Sequence, residues 1–257
     1  MAQFSRIKRL LGEEKFDRLQ SASVTIVGLG AVGGYAVEGL ARAGVINLRL
    51  VDFDTIQPSN INRQIIALHS TVGQAKVMTA RDRIMAINPK CLVEPLEIFA
   101  GEETLDTILT PKPDLVIDAI DSLNPKAQLL IAAYHQHISI ISSMGAALRT
   151  DPAQIKSGDL MDSKDCPLAR RLRKRLRKHD VARGISCVYS TERVNFDYEM
   201  ENETNGEEPS QLCDRGRRRN TLGSLPTLTG IFGLTIANLA IQQLTGDRAI
   251  GTKDKTP

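Results

Sequence analysis

The chain has 257 residues, of which 42% are hydrophobic and 25% are charged, and its formal net charge is +3. These are ordinary globular values, so the composition excludes wholesale disorder, collagen-like chains and coiled coils. Aromatic residues make up only 4% and tryptophan is absent, which argues against a β-sandwich core or an aromatic stacking platform. Because the total charge is nearly neutral, any role with nucleic acid depends on where charge is concentrated.

The N-terminal third of the sequence predicts a helical arm followed by a βαβ unit. Apolar residues spaced among charges over 5–20 indicate one or two short amphipathic helices. Residues 23–27 are β-formers, GLGAVG follows over 28–33, and a helical pattern continues until Gly44 caps it. A second strand is predicted over 48–51. Such a unit implies parallel strands joined by a right-handed crossover.

The alternation of strands and helices continues to residue 142. The further predicted elements are a helix over 73–87, a strand over 91–98, a strand over 115–119, a helix over 124–137 and a strand over 138–142. This order predicts an α/β fold with a doubly wound, mainly parallel sheet of the Rossmann-like type.

Beyond residue 150 the periodicity weakens. Seven of the nine residues over 170–178 are basic, 181–194 holds one predicted strand, and 197–208 is an acidic segment interpreted as a loop. Residues 225–244 are long and apolar enough to span a bilayer, but their threonines, amides and internal glycines favour a buried helix. Membrane association is therefore the weaker interpretation of that helix.

These patterns predict one domain with four parts. They are a helical arm over 1–20, a nucleotide-binding core over 21–155, a basic part over 156–246 that includes a helical insertion and the C-terminal helix, and a polar tail over 247–257. The sequence shows no secretory signal, and its four cysteines contain no C-x-x-C pair. We expect a cytoplasmic protein with reduced thiols.

Gly28, Gly30 and Gly33 form a G-x-G-x-x-G motif directly after a strand and at the start of a helix. In that context backbone amides and the helix N-terminus bind phosphate. Asp52 ends the second predicted strand, where a carboxylate accepts hydrogen bonds from ribose hydroxyls. These residues alone indicate a dinucleotide-dependent dehydrogenase.

Four further motifs argue against a dehydrogenase. The sequence DFD over 52–54 is followed by NINRQ over 60–64, GQAK over 73–76 and DAID over 118–121. Arginine and lysine suit the oxygens of a triphosphate, and a carboxylate opposite them suits Mg²⁺. Hydride transfer needs no such set. In this order the motifs resemble those of the ubiquitin-activating-enzyme-like adenylating superfamily, which includes the adenylases of sulfur-carrier proteins.

The remainder of the chain resembles one branch of that superfamily, the tRNA threonylcarbamoyladenosine dehydratases. The matching stretches are ISSMGA over 141–146, DCPLARR over 165–171 with the basic run after it, VYS over 188–190 and TLGSLP over 221–226. With them the resemblance covers nearly the whole chain. The chain departs from the pattern at Ala146 and Ala147, where a second glycine would be expected, and in the acidic segment.

The resemblance implies a set of site residues. The implied ATP-binding residues are Gly28, Gly30, Gly33, Asp52, Asp54, Asn60, Arg63, Gln64 and Lys76. The implied catalytic residues are Arg63, Lys76, Asp121 and Arg6, of which Asp121 would bind Mg²⁺. In the family an arginine at the place of Arg6 reaches the neighbouring subunit's ATP site, which implies a homodimer. Asp118 is expected to shape the end of its strand.

Each of these roles has a structural alternative. Without a ligand, Arg63 would be a surface ion-pair residue and Lys76 would be a solvated helix residue. Arg9 is an alternative to Arg6 for the role at the interface. The basic run would otherwise be a solvated face. Because like charges repel along a helix, a phosphate partner explains the run better. The residues expected to contact tRNA are Arg170, Arg171, Arg173, Lys174 and Arg177, with a second cluster at Arg215, Arg217, Arg218 and Arg219.

The predicted function is ATP-dependent dehydration, by cyclisation, of threonylcarbamoyladenosine at tRNA position 37 through an acyl-adenylate. The alternative is adenylation of the C-terminal glycine of a ubiquitin-like sulfur-carrier protein, with a carrier or sulfur-relay protein as partner. Such an activator can use a cysteine acceptor. The cyclase is expected to need none, Cys187 is expected to be buried, and Cys166 and Cys213 remain open. An inactive binding scaffold and a dehydrogenase are the weaker hypotheses.

Overall fold

The structure is a computed structural model that describes residues 2–194 and 222–246. Within them the strands are β1 (Ser23–Val27), β2 (Asn47–Val51), β3 (Leu92–Leu96), β4 (Leu115–Asp118), β5 (Ser139–Ser143), β6 (Ile155–Asp159) and β7 (Ser186–Ser190). The helices are α1 (Ser5–Leu11), α2 (Glu13–Ser21), α3 (Gly33–Ala43), α4 (Lys76–Ile87), α5 (Leu105–Leu109), α6 (Leu123–His135), α7 (Pro167–Leu176) and α8 (Pro226–Leu244).

The strands described form one sheet in the order β3-β2-β1-β4-β5-β7-β6. Every neighbouring pair is parallel except β6 with β7. The chain fills one half of the sheet from β1 outward and then returns to place β4 beside β1, which is the doubly wound topology. The predicted fold class is confirmed. Val27 pairs with both Val51 and Asp118, so three strands end together at the point where the strand order reverses.

Helices cover both faces of the sheet. On one face α3 packs on β1, α4 packs on β2 and β3, and α8 packs on β4, β5 and β7. On the other face α6 packs on β4 and β5, and α5 and α7 pack against α6. The α3–α8 contact is very close because small residues face each other. A Cβ on Gly39 would lie 2.8 Å from the Cβ of Ala237, and a Cβ on Gly233 would lie 2.4 Å from the carbonyl oxygen of Val32.

The uncharged helix α8 is, within the described chain, the one helix long and apolar enough to cross a membrane. Half of its most apolar stretch is buried inside the protein, where Phe232 and Ile236 are fully covered. This burial is what the sequence predicted for the helix.

Several element boundaries differ from the predictions. The helix expected over 73–87 begins at Lys76, because Gly73 has a φ of +85° and Ala75 bridges to Thr55. The helix expected over 124–137 ends at His135, and His137 has a φ of +53°. Strand β6 was not predicted, because it is an edge strand with exposed polar residues and offers little apolar alternation.

The parts predicted on either side of residue 155 share one sheet, since β5 of the first part pairs with β7 of the second. The arm forms two helices, as expected, and α2 buries Phe16 and Leu19. The acidic segment over 197–208, the second basic cluster over 215–219, Cys213 and the tail over 247–257 lie outside the described residues.

Candidate active site

A cleft of about 1150 Å³ opens at the carboxyl ends of β1, β2, β4 and β5. This is where open α/β sheets bind ligands. The predicted ATP-site residues that line it are Gly28, Gly30, Asp52, Asp54, Asn60, Arg63, Gln64, Lys76 and Asp121. Gly33 and Arg6 do not line it. Motifs spread over about 90 residues of sequence therefore meet around one space.

The three glycines of the β1–α3 loop do different work. Gly28 has a φ of +90°, and a Cβ on Gly33 would lie 1.8 Å from the carbonyl oxygen of Gly28, so both are required by the packing of the loop itself. Gly30 differs, because the nearest atom to a Cβ there would be the Nε2 of Gln64 at 3.8 Å. Its open side faces the cleft, where a phosphate group would fit.

Asp52 links this loop to the end of β2. Its buried carboxylate accepts hydrogen bonds from the backbone N–H groups of Leu29 (2.7 Å) and Asp54 (2.9 Å). Burial raises the pKa of Asp52, although nearby Lys76 and the two backbone N–H groups oppose the shift. The next residue, Phe53, packs edge-on against Phe99 in the cleft wall, with ring centroids 5.1 Å apart. The cleft thus offers a carboxylate for a ribose beside an apolar wall for a base.

Lys76 presents a buried positive charge at the start of α4. Only 5% of the residue is exposed, and its Nζ lies 2.7 Å from Asp54 Oδ2 and 4.0 Å from Asp52 Oδ1. Phosphate oxygens entering the cleft would share this ammonium with the carboxylates.

The turn over 60–64 carries three of the predicted side chains. The side-chain oxygen of Asn60 accepts a hydrogen bond from the backbone N–H of Gln57, and Arg63 Nη1 donates to the backbone carbonyl of Ser59 at 2.8 Å. Gln64 is buried, and its Oε1 has no hydrogen-bond partner among the residues the structure describes. An unpaired buried acceptor costs about 1–3 kcal/mol, so a donor from a ligand would stabilise this site.

A buried polar network supports the β4–α6 loop. Asp118 and Lys126 are both fully buried and form an ion pair of 2.6 Å. The hydroxyl of Ser142 donates to Asp118 at 2.5 Å, and the backbone N–H of Ile120 donates to its other oxygen at 3.1 Å. Asp118 therefore shapes the strand end, as expected, and fixes the loop that brings Asp121 to the cleft. Nothing in the sequence pattern had singled out Lys126.

A metal ion in this cleft would need ligands from a substrate as well as from the described residues. No group of three or more His, Cys, Asp or Glu side chains that could hold a metal ion occurs in the parts of the chain that are described. Mg²⁺ is commonly bound by one or two carboxylates together with substrate phosphates. Asp121, exposed in the cleft wall, fits that donor set.

Comparison with known proteins places this cleft in a family. The model of the ThiF family matches residues 4–256. The chain belongs to the ThiF family. The tRNA threonylcarbamoyladenosine dehydratase of Bacillus subtilis is 40% identical over 190 residues, which cover 74% of this chain and 75% of that protein. The resemblance inferred from the motifs is confirmed.

Two further relatives separate the branches of the ThiF family. The Escherichia coli tRNA N6-threonylcarbamoyladenosine dehydratase, TcdA, has a crystal structure in complex with ATP. It matches this chain with a TM-score of 0.83 and 31% identity over 96% of this chain and 95% of TcdA. The Escherichia coli molybdopterin-synthase adenylyltransferase is 37% identical over 150 residues, or 58% of this chain. The match to TcdA thus covers nearly the whole chain, whereas the match to the adenylyltransferase covers little more than half of it.

The basic side chains in and just after helix α7 of this ThiF-family chain lie in three different surroundings. Arg170 and Lys174, together with Arg177 just after the helix, are exposed, and Arg171 is exposed where it lines the cleft. Arg173 points inward, because its Nη1 donates to the backbone carbonyl of Ser163 at 2.9 Å and to the hydroxyl of the same residue. This contact ties α7 to the preceding turn, and the contact of Arg173 with tRNA stays a prediction.

The cysteines in the described residues are free and buried. Cys187 was expected to be buried and is fully covered, and burial raises its pKa. Cys166 lines the cleft at the start of α7. Arg6 is exposed on α1, away from the cleft. Arg149, which the sequence analysis did not single out, is buried and lines the cleft after β5.

Proposed function

We propose that this protein uses ATP to cyclise the threonylcarbamoyl group on adenosine 37 of tRNA, with the net loss of water. The observation that carries the proposal is that one cleft joins cations suited to a triphosphate to a basic surface. Lys76 and Arg63 line the triphosphate end of the cleft, and Arg171 leads from the cleft to the exposed cations of α7. The named relatives that match most of the chain are dehydratases of this kind.

The proposed reaction has two steps. A carboxylate oxygen of the threonyl group attacks the α-phosphorus of ATP, and the bond to the β-phosphate oxygen breaks, giving an acyl-adenylate and pyrophosphate. The carbamoyl group then attacks the activated carbonyl carbon, loses a proton and closes the ring as AMP leaves. Because both reacting groups of the second step belong to the same nucleotide, ring closure needs no second molecule and proceeds at a high effective concentration.

The chain contributes positioning and charge. Lys76, Arg63 and Asn60 would contact phosphate oxygens and stabilise the charge that develops during the attack. Asp52 would hold the ribose, and the open side of Gly30 would admit the phosphates. Asp121 would hold Mg²⁺, which supplies neutralisation of phosphate charge when bound.

We also propose a homodimer with shared active sites. Arg6 is exposed on α1 and does not line the cleft of its own chain, so it would reach ATP from a second copy. The exposed residues Arg170, Lys174 and Arg177 would bind tRNA phosphates. We place this reaction in the cytoplasm, where charged substrates of this size are available. A sulfur-relay or carrier-protein partner belongs to the alternative function, adenylation of a carrier's C-terminal glycine.

The test is AMP release by the purified protein with tRNA that carries open-form threonylcarbamoyladenosine, followed by mass spectrometry of the nucleosides. We expect AMP in proportion to cyclic nucleoside, and none with tRNA that lacks the modification. Arg183→Gln is a matched control, because Arg183 is exposed and paired with Asp162. If AMP instead requires a carrier protein ending in glycine, the alternative function is correct.

A further inference from the structure

Arg149 is a buried cation whose charge is almost unpaired. Only 2% of the residue is exposed, yet it lines the cleft. Its Nη2 donates to the backbone carbonyl of Asp165 at a long 3.4 Å, and its Nε and Nη1 are buried with no partner across residues 2–194 and 222–246. A guanidinium has five N–H donors, and burying one without an acceptor is unfavourable. The site is therefore incomplete without a ligand that accepts hydrogen bonds.

The backbone holds Arg149 in place from both sides. Leu148 has a φ of +61°, which is unfavourable for a bulky residue, and its N–H donates to the carbonyl of Gly223 at 2.9 Å. On the other side, the carboxylate of Glu192 accepts hydrogen bonds from the two backbone N–H groups after Arg149 and from the hydroxyl of Thr150. Strained backbone persists where the surroundings over-determine it, and it clusters at ligand sites.

Glu192 does not neutralise Arg149. Its oxygens are taken up by backbone N–H groups and a hydroxyl, and these bonds, together with the more distant charge of Arg149, hold the pKa of Glu192 below its ordinary value. The carboxylate of Glu192 is thus engaged by the backbone, and it makes no described hydrogen bond with the guanidinium of Arg149.

The position of Arg149 in the cleft indicates which kind of ligand it would bind. The triphosphate end of the cleft has its own cations, Lys76 and Arg63, which follow β2. Arg149 follows β5, and the sheet order places β1 and β4 between those two strands. The proposed reaction requires a second anion in the same cleft, the carboxylate that attacks ATP. Arginine is the side chain best suited to a carboxylate, because its planar donors match the two oxygens.

We propose that Arg149 binds the carboxylate of the substrate's threonyl group and positions it for attack on ATP. This inference rests on the proposed function. The clamp of Glu192 and the left-handed conformation of Leu148 then serve to aim the guanidinium, and substrate binding pairs the charge that folding leaves unpaired.

The test uses Arg149→Met and Arg149→Lys, with the exposed Arg183→Met as control. We expect kcat/KM for tRNA carrying the open nucleoside to fall about 100-fold in Arg149→Met, with partial recovery in the lysine variant. The dissociation constants for ATP and for the same tRNA without the modification should change less than twofold. The melting temperature of ligand-free Arg149→Met should equal or exceed that of the wild type, because an unpaired buried charge is replaced by an apolar side chain.

Three results would overturn the inference. An equal loss of affinity for unmodified tRNA would assign Arg149 to an RNA phosphate, and a loss of affinity for ATP would assign it to the triphosphate. A lower melting temperature with activity that follows the folded fraction would make it a structural residue. Failure of the proposed function gives a different result, because the wild-type protein would then be inactive on the modified tRNA. If the wild type is active and Arg149→Met is equally active, only the inference about Arg149 is refuted.

Discussion

Replacing Lys126 by methionine should destabilise the protein strongly, because the Asp118 carboxylate would stay buried without its counter-charge. Both side chains are fully buried, and their atoms Nζ and Oδ2 lie 2.6 Å apart. Ser142 and the N–H of Ile120 would remain as neutral donors to the carboxylate. Removing one partner of a buried pair costs about 3–5 kcal/mol. At ~2–4 °C per kcal/mol for a domain of this size, the melting temperature should fall by roughly 6–20 °C.

The assay is urea unfolding followed by far-ultraviolet circular dichroism, since the chain has no tryptophan for fluorescence. Lys112→Met is the control, because Lys112 is exposed and bonds only to a backbone carbonyl among the contacts described. The double variant Lys126→Met with Asp118→Leu should recover most of the lost stability, as buried pairs exchanged for apolar residues often do. A loss below about 1 kcal/mol in the single variant, or additive losses in the double variant, would refute the reasoning.

Three other changes test the site, the RNA surface and the buried thiols. Lys76→Ala should lower AMP formation by ~10²-fold or more without unfolding the protein, and turnover within a few-fold of wild type would contradict its role at the phosphates. Glutamine at the exposed cations of α7 should lower the slope of log affinity for tRNA on log salt by ~0.7–0.9 for each lost contact, whereas an unchanged slope would mean that these charges are only solvated. Burial raises the pKa of Cys91 to about 11 from 9.0, so the native state keeps a proton that the unfolded state loses. The contribution of the protonated Cys91 thiol to the free energy of unfolding should therefore be fully present below pH 9 and be lost between pH 9 and 11. Cys91→Ala should show a shallower decline in unfolding free energy over that window, and an identical decline would exclude Cys91 as its cause.

Much of the nucleotide end could be predicted from the sequence, because Gly28, Asp52 and the DAID motif each lie at the end of a strand. Parallel strands bring their carboxyl ends to one edge, so Gly28, Asp52 and Asp121 had to meet once the strand order was right. Lys76 joined them although the start of its helix was misplaced by three residues, since the loop before it is tied to β2 through Asp54. Local periodicity and one topological rule predict where the strand ends meet, whereas the roles of Arg63 and Lys76 were implied by the resemblance to a family.

The substrate end could not be predicted in the same way. Arg149 stands in a stretch without helical or strand periodicity, and its direction depends on Leu148 and on Glu192, which lies 43 residues further along the chain. The inward turn of Arg173 depends on a tertiary contact with Ser163. Charge counting along α7 could not separate that arginine from its exposed neighbours, because all of them look alike in sequence.

The close approach of α8 to α3 has a consequence for where this protein can work. Gly233 lies against the carbonyl of Val32, and both Val32 and Thr229 of α8 line the cleft. The apolar helix is thus the back wall of the phosphate loop. A helix that left the fold to enter a bilayer would open that wall. We therefore expect the nucleotide site to require α8 in its place inside the fold.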